Sequence, residues 1–164
     1  MLIITQLQRA LHNRTEFDCG NITINNYFKS YAGQQQKANL VSVFVLTEES
    51  SPSTVMGFYT LHATSMQGSD LPQILTSAIH QRESIPVIEL GQLGVDTRYQ
   101  RSGYGGCLVS DAIEKAYRSN IGHVGIVVNS LSLDLSLFYI KLGFVPSPQR
   151  PNILFLPKGS YGIS

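Results

Sequence analysis

The 164-residue sequence predicts an α+β domain in which helices flank a central sheet. Runs rich in branched and aromatic residues alternate with stretches whose apolar residues recur every three or four positions. A glycine-rich segment, Gln100–Gly106, joins one such run to the start of a helical pattern. Because neither an internal repeat nor a long linker interrupts the chain, we expect a single domain over residues 1–164.

The composition excludes several classes of protein. With 43% hydrophobic and 14% charged residues, the chain is typical of a globular domain and not of a disordered one. The longest apolar stretches, such as residues 43–46, are far too short to span a membrane, and residues 1–17 lack the apolar core of a signal peptide. We therefore expect a cytoplasmic protein whose two cysteines, Cys19 and Cys107, are reduced and buried as small hydrophobic residues.

Charge is distributed unevenly along a chain whose net charge is only +1. Residues 1–90 hold five Lys and Arg against seven Asp and Glu, whereas residues 91–164 hold seven against four. The glycine-rich segment thus lies in the basic half, where an anionic ligand would be favoured. The four histidines are dispersed without the spacing of metal ligands, so we expect no metal site.

The first half of the chain predicts a helix followed by a hairpin. Residues 21–37 predict the helix, because Ile24, Tyr27, Phe28 and Tyr31 recur at spacings of three and four. Leu40–Leu46 and Val55–Ser65 predict two strands, joined by a turn-forming segment. Residues 69–80 predict a further short helix.

In the second half, strands and helices alternate. Pro86–Asp96 predicts a strand, and the helix after Gln100–Gly106 has one apolar side. Gly122–Val128 predicts the next strand. The following helix is expected to be capped by Ser132 and ended by Gly143, and Phe144 opens a predicted final strand that runs toward Leu156.

The glycine-rich segment has the features of a phosphate cradle. A helix N-terminus leaves backbone N–H groups unpaired and carries partial positive charge, and glycines let an anion approach the main chain. The segment does not match the Walker motif or the GxGxxG fingerprint. On this pattern alone, the segment is equally consistent with a phosphate site and with a tight turn that binds nothing.

A second group of candidate residues lies at 129–144. Tyr139 falls on or beside an apolar helix face, and the pattern alone favours a core tyrosine whose hydroxyl lies at the edge. Ser132 and Ser136 lie near Asp134, but no histidine accompanies them as a nucleophilic site would require. Helix capping explains Ser132 better.

Two motifs resemble those of GNAT-fold N-acetyltransferases. Gln100-x-x-Gly103-x-Gly105 after a strand resembles their acetyl-CoA signature, and Phe138-Tyr139-x-x-x-Gly143-Phe144 resembles their terminal motif. The stretches FDCG, MGFYTL, IPVIELGQLGVD and ILFLP also follow one another as in the GNAT toxins of bacterial toxin–antitoxin modules. This resemblance extends from about Phe17 to Pro157.

The resemblance implies a fold and a site. The fold would be a mixed, mostly antiparallel central sheet with a splayed strand pair, flanked by helices. Acetyl-CoA would be the co-substrate, without a metal, and Tyr139 would be the catalytic residue that protonates the leaving thiolate. The residues that would bind acetyl-CoA are Leu93, Gly94, Val95, Gln100, Arg101, Ser102, Gly103, Tyr104, Gly105 and Gly106.

The resemblance also implies a function, which is acetylation of the α-amino group of aminoacyl-tRNA and hence a block of translation. A ribbon-helix-helix antitoxin and a homodimer are the implied partners. Two alternatives stay open: a GNAT enzyme that acetylates a protein or small-molecule amine, and a non-catalytic acyl-CoA-binding module. Glu89 is a candidate base, although a solvent-facing strand residue is the simpler interpretation.

The sequence departs from this branch at two positions of the predicted strand. Gly94 and Gln92 stand where the branch often has alanine and arginine, and Gln92 removes a positive charge. Cations in the second half of the chain are candidates for a local tRNA-binding patch, although the simpler interpretation of each is a solvated surface charge. These cations are Arg98, Arg101, Lys115, Arg118, Lys141 and Arg150.

Overall fold

Seven strands form one mixed sheet in the order β1-β2-β3-β4-β5-β7-β6. A computed structural model describes residues 1–72 and 77–160 of the chain. The strands are β1 (Leu2–Gln6), β2 (Ser42–Glu48), β3 (Gly57–Met66), β4 (Ile85–Val95), β5 (Gly125–Asn129), β6 (Val145–Pro146) and β7 (Ile153–Pro157). The predicted α+β class and the hairpin of β2 and β3 are confirmed.

Most of the strand pairs are antiparallel, and β4 with β5 is the parallel pair among those described. The register of this pair runs from Ile88 opposite Ile126 to Leu90 opposite Val128. Strand β4 continues past Leu90 to Val95, beyond the last residue paired with β5. The sheet is therefore mostly antiparallel with one splayed pair, as the resemblance implies.

Five α-helices are described, at bounds close to those that the periodicity predicts. They are α1 (Ile22–Ser30), α2 (Ala32–Lys37), α3 (Ser77–His80), α4 (Tyr104–Arg118) and α5 (Leu133–Lys141). The single helix predicted over residues 21–37 is wrong in one respect, because it breaks at Tyr31. The short helix predicted over residues 69–80 falls partly on residues 73–76, which lie outside the described residues.

Near the ends of the chain, one further prediction is wrong and one strand has no counterpart in the prediction. The predicted final strand is two antiparallel strands, β6 and β7, because the polar and proline-rich segment between them reverses the chain. In this turn the Arg150 amide donates to the Ser147 hydroxyl, and the Ile153 amide donates to the Arg150 carbonyl. Strand β1 was not predicted, because it is stabilised by pairing with β2 and local sequence does not reveal that partner.

The chain divides into two compact units. Unit 1 comprises Met1–His62 and Gly91–Ala112, and its core contains three mutually packed rings. Phe28 stacks on Phe58 with 4.2 Å between ring centroids, and Phe17 meets both rings edge-on. Unit 2 comprises Ala63–Leu90 and the chain from Ile113 onward. The core of unit 2 contains Leu71, Ile85, Val87, Val127 and Phe155.

The cysteines are only partly as expected. Both are free thiols, Cys19 is half-buried, and burial raises the pKa of its thiol. Cys107 is exposed on α4, so the expectation that it is buried is wrong. None of the helices in the described part of the chain is long and apolar enough to cross a membrane.

Replacing Phe28 with alanine is expected to lower the free energy of unfolding by about 3–5 kcal/mol, because its ring is fully buried between two others. Ile22 lies on the same helix with 74% of its surface exposed. We expect Ile22→Ala to change stability by about 0.5 kcal/mol or less. Urea unfolding of both variants measures the difference, and equal effects would contradict this assignment of the unit 1 core.

Candidate active site

A buried carboxylate anchors the end of β4. Asp96 is 1% exposed and accepts hydrogen bonds from the Asp18 amide at 3.1 Å and the Arg98 amide at 2.9 Å. The Arg98 guanidinium donates two more, at 2.9 and 3.1 Å. Burial raises the pKa of Asp96, but these donors outweigh it and hold the pKa below its ordinary value. The charged carboxylate therefore ties β4 to the segment that precedes α1.

The side chain of Gln100 braces the loop that follows. Its amide nitrogen donates to the Val95 carbonyl at 2.8 Å and to the Cys19 carbonyl at 2.9 Å. The backbone then passes through two left-handed conformations, at Arg101 with φ 64° and at Gly103 with φ 84°. The resemblance implied only that the Gln100 backbone contributes to a phosphate site. The two hydrogen bonds of its side chain were not predicted from the sequence.

The N-terminus of α4 has the geometry of the predicted phosphate cradle. The Cys107 amide donates to the Gly103 carbonyl at 3.1 Å, which is a helical hydrogen bond of the first turn. The amides of Tyr104, Gly105 and Gly106 precede it and have no acceptor within the helix. Apart from its chain neighbours and the backbone of its own helix, a Cβ atom at Gly103 or Gly106 would meet no atom of the described residues within 4 Å. Packing within the protein therefore does not demand glycine at position 106, whereas close approach of an anion would.

Two contacts hold α4 against β3 in unit 1. The Tyr59 hydroxyl donates to Asp111 Oδ2 at 2.6 Å, and burial followed by this carboxylate raises the pKa of Tyr59. The Leu108 side chain packs so closely on Gly57 that a Cβ atom there would lie 2.9 Å from Leu108 Cδ1. An alanine at position 57 would therefore require the Leu108 side chain to shift.

The predicted pantetheine-binding backbone, Leu93 to Val95, lies at the end of β4. Leu93 and Val95 are half-buried and Gly94 is buried. A Cβ atom at Gly94 would lie 3.2 Å from Ile24 Cγ2 and 3.3 Å from Cys19 Sγ. An alanine at position 94 would therefore require these two side chains to move by a few tenths of an ångström. Leu93, Gly94, Val95 and all seven residues of Gln100–Gly106 belong to unit 1.

Tyr139 belongs to unit 2 and lies near the end of α5. It is 6% exposed, and its ring meets Phe138 and Phe144 edge-on at 5.1 and 5.3 Å. Within residues 1–72 and 77–160, nothing hydrogen-bonds to its hydroxyl. Burial raises the pKa of Tyr139 to about 12. The hydroxyl is thus protonated at neutral pH and has a proton to donate.

The glycine of the second motif ends α5 and places Phe144. Gly143 has φ 100°, and the Phe144 amide donates back to the Tyr139 carbonyl at 3.1 Å. At the other end of α5, the Leu135 amide donates to the Ser132 hydroxyl at 3.2 Å, so the predicted cap is confirmed. The Ser136 hydroxyl donates to Ser130 Oγ at 2.9 Å. These serines therefore have structural partners.

Most of the other candidates are engaged elsewhere. Glu89 is half-buried on β4, opposite Val127 of β5. Three cations of the patch considered from sequence form ion pairs, which are Arg98 with Asp96, Arg118 with Glu114 and Arg150 with Asp70. Among the residues that the structure describes, no group of three His, Cys, Asp or Glu side chains could hold a metal ion.

Curated proteins of similar sequence are toxins. The chain is 33% identical to a Sinorhizobium fredii protein named "Probable toxin TacT", over 94% of this chain and 90% of that protein. It is 29% identical to a tRNA-acetylating toxin of Mycobacterium tuberculosis, over 87% of this chain and 84% of that protein. No protein-family model matches the chain.

Solved structures of similar fold include complexes of the toxin AtaT. AtaT with acetyl-methionyl-tRNAfMet superposes with a TM-score of 0.88 at 27% identity, covering 98% of this chain and 96% of that one. A tyrosine-to-phenylalanine variant of AtaT, bound to the C-terminus of the antitoxin AtaR and to acetyl-CoA, gives 0.82 at 26% identity, with 98% and 95% covered.

Replacing Gly103 in the loop and Gly106 in α4 with alanine is expected to have opposite effects on stability. Gly103→Ala forces a side chain into a left-handed conformation and should destabilise the protein by about 1–2 kcal/mol. Gly106→Ala meets open space in a helix and should raise the free energy of unfolding by up to about 1 kcal/mol.

Coenzyme A binding provides the second measurement on Gly106→Ala. If phosphate oxygens approach this amide, the added methyl group should weaken coenzyme A binding about tenfold or more in titration calorimetry. Unchanged affinity in the more stable variant would show that the N-terminus of α4 is only a turn.

Proposed function

Because the chain belongs to the GNAT toxins of toxin–antitoxin modules, we propose that it transfers the acetyl group of acetyl-CoA to the α-amino group of aminoacyl-tRNA. An acetylated aminoacyl group lacks the free amine that peptide-bond formation requires, so the reaction blocks translation. One relative is a tRNA-acetylating toxin, and the fold matches that of AtaT in complex with acetyl-methionyl-tRNAfMet. The chain is accordingly an acetyl-CoA-dependent N-acetyltransferase.

The N-terminus of α4 is the observation that carries the assignment of the acetyl-CoA site. It offers three amides without helical acceptors and open space at Gly106, which suit a pyrophosphate. Arg101 is exposed beside these amides in sequence and adds positive charge to the loop. We assign the pyrophosphate to residues 100–106 and the pantetheine arm to the backbone of Leu93, Gly94 and Val95.

Tyr139 is proposed as the general acid. Acetyl-CoA supplies an acetyl group activated as a thioester, and amide formation releases a thiolate. The Tyr139 hydroxyl is protonated at neutral pH, and none of the described residues competes for its proton. Donation of this proton to the thiolate sulfur stabilises the leaving group in the transition state, and the proton that the amine loses as the amide forms is returned through solvent to the Tyr139 oxygen.

The nucleophile needs little help from the protein. An α-amino group has a pKa of about 7.7–8.0, well below that of lysine, so a large fraction is neutral near pH 7.5. A dedicated base such as Glu89 is then unnecessary, and positioning of the two reactants provides much of the rate. A backbone N–H near Val95 would polarise the thioester oxygen.

Four further properties accompany the proposal. An antitoxin neutralises the enzyme, as AtaT binds the C-terminus of AtaR, and we expect a ribbon-helix-helix DNA-binding protein in this role. A homodimer, a cytoplasmic location and action of residues 1–164 as one catalytic domain stay predictions. Light scattering of the purified protein tests the homodimer.

The proposed function is tested in a cell-free translation system supplied with acetyl-CoA. We expect translation to stop and the charged tRNA pool to contain N-acetylated aminoacyl groups, which mass spectrometry identifies. Uninterrupted translation, together with acetylation of a protein or small amine in the absence of tRNA, would refute the proposal. Coenzyme A binding without any transfer would refute enzymatic activity altogether.

Replacing Tyr139 with phenylalanine is expected to lower kcat about 100-fold or more while the KM for acetyl-CoA stays within about twofold. Tyr31→Phe is the matched control, because Tyr31 is 57% exposed in unit 1. Steady-state rates of both variants with purified aminoacyl-tRNA measure the difference. A Tyr139→Phe enzyme as fast as the control would exclude the general-acid role.

The rate of the wild-type enzyme is expected to rise with pH as the substrate amine loses its proton near about pH 8. With its pKa raised to about 12, Tyr139 keeps its proton throughout this rise, so the rate should not fall again below about pH 10. Initial rates across this range give the profile. A descending limb between about pH 8 and 9 that is absent from Tyr139→Phe would contradict the raised pKa.

A further inference from the structure

A basic concavity in unit 1 is not used by the proposed chemistry. It has a volume of about 440 Å³ and is bordered by the segment that follows β1 and by Lys29 of α1. Its cations are Arg9, Arg14 and Lys29, which all lie in the half of the chain with net negative charge. The remaining lining residues are Ala10, Leu11, His12, Asn13 and Thr15.

Two guanidinium groups of this concavity converge on one point of the backbone. The position where a Gly33 side chain would begin lies 2.9 Å from Arg14 Nη1 and 3.0 Å from Arg9 Nε. Arg14 Nε is also buried, and none of the described residues is within hydrogen-bond reach of it. Converging like charges and an unsatisfied buried donor both raise the free energy of the protein unless an anion lies between them.

Within the described residues, no carboxylate forms an ion pair with any of these three cations. Lys29 attracts Asp18 at longer range and contributes to the lowered pKa of that carboxyl, after hydrogen bonds from Gly20 and Asn25. Burial lowers the pKa of His12, which accepts from the Gln8 amide, so His12 is neutral at pH 7 and adds no charge. The concavity therefore has two guanidinium groups and one ammonium group that no carboxylate of the described residues neutralises.

We propose that this concavity, named here the Arg9–Arg14 site, binds a backbone phosphate of the tRNA substrate. The inference rests on the proposed function and adds the residues that contact the nucleic acid. Guanidinium groups form bidentate, charge-assisted hydrogen bonds with phosphate oxygens, and phosphate contacts supply most of the sequence-independent affinity for nucleic acids. A chain with a net charge of only +1 is then able to bind tRNA. The three cations of the Arg9–Arg14 site have no carboxylate partner among the described residues, and they lie close together.

The lining favours a phosphate over an acidic peptide. A peptide interface normally has a buried apolar or aromatic anchor, whereas this lining is polar except for Ala10 and Leu11, and Leu11 is 41% exposed. The cations first considered from sequence offer less, since Arg98, Arg118 and Arg150 are already paired with carboxylates.

The test compares two full-length double variants that lose the same charge. Arg9→Gln with Lys29→Gln empties the site of two exposed cations, and Arg82→Gln with Arg118→Gln removes two exposed cations that lie outside its lining. The affinity for labelled, deacylated bacterial tRNA is measured across a range of salt concentrations. We expect the site variant to bind roughly tenfold more weakly than the control, with a salt dependence that is shallower by about 0.9 per lost phosphate contact.

Two further measurements separate this role from a structural one. The KM for acetyl-CoA should be the same in both double variants, whereas the KM for aminoacyl-tRNA should rise only in the site variant. Arg14→Gln should also weaken tRNA binding, and Arg9→Gln alone should raise the thermal unfolding midpoint without RNA, because it relieves repulsion between two guanidinium groups. A lower midpoint would assign Arg9 a structural role instead.

The outcomes distinguish this site from the proposed function. If the wild type acetylates aminoacyl-tRNA while both double variants bind tRNA within twofold of each other, the Arg9–Arg14 site is refuted and the function stands. If the site variant loses tRNA affinity but the wild type acetylates no tRNA, the function is refuted and the site stands. Loss of antitoxin binding with unchanged tRNA affinity would assign the site to the antitoxin and overturn the proposal.

Discussion

The buried carboxylate of Asp96 holds the end of β4, its following loop and the segment before α1 in one arrangement. Strand β4 runs on to Val95, beyond its last residue paired with β5, so its end must be fixed by something other than that strand. Asp96 does this through the Asp18 amide and the Arg98 side chain, and the Gln100 side chain adds a second connection to Cys19. A charged group buried this deeply is tolerated because four donors replace its hydration.

The glycines in and near the two motifs serve different physical purposes. Gly103 and Gly143 adopt left-handed conformations, one to enter α4 and the other to leave α5 with Phe144 against Tyr139. Gly94 lies so close to Cys19 and Ile24 that a larger residue would require both side chains to shift slightly. Gly106 has no such reason within the protein, and it is the position where a ligand best accounts for the residue. Binding by backbone amides in turn explains why the loop needs few charged side chains.

Much of the fold could be predicted from local signals in the sequence. The Ser132 cap, the glycine turn before α4 and the hairpin of β2 and β3 depend on neighbouring residues, and the structure has each of them. What the sequence could not show depends on distant partners. Tyr59 and Asp111 meet across 52 positions.

The same limit applies to the charges. The sequence points to the cations of the second half of the chain as an anion patch, yet three of them are paired with carboxylates. Asp96 and Glu114 lie close to their partners in sequence, whereas Asp70 reaches Arg150 only in the folded chain. Arg9 and Arg14 lie in the half of the chain that is acidic overall, where the net charge gives no sign of an anion site. Folding directs both side chains to Gly33, which neither composition nor spacing indicates. Formal charge per segment was therefore a poor guide to unpaired charge.

Backbone amide chemical shifts of the ¹⁵N-labelled protein during titration with coenzyme A would decide whether acetyl-CoA lies where its site is assigned. The assignment predicts that the largest changes fall on Tyr104, Gly105 and Gly106 and on the end of β4 at residues 93–95. Shift changes confined to other parts of the chain, with these six amides unmoved at saturation, would contradict it.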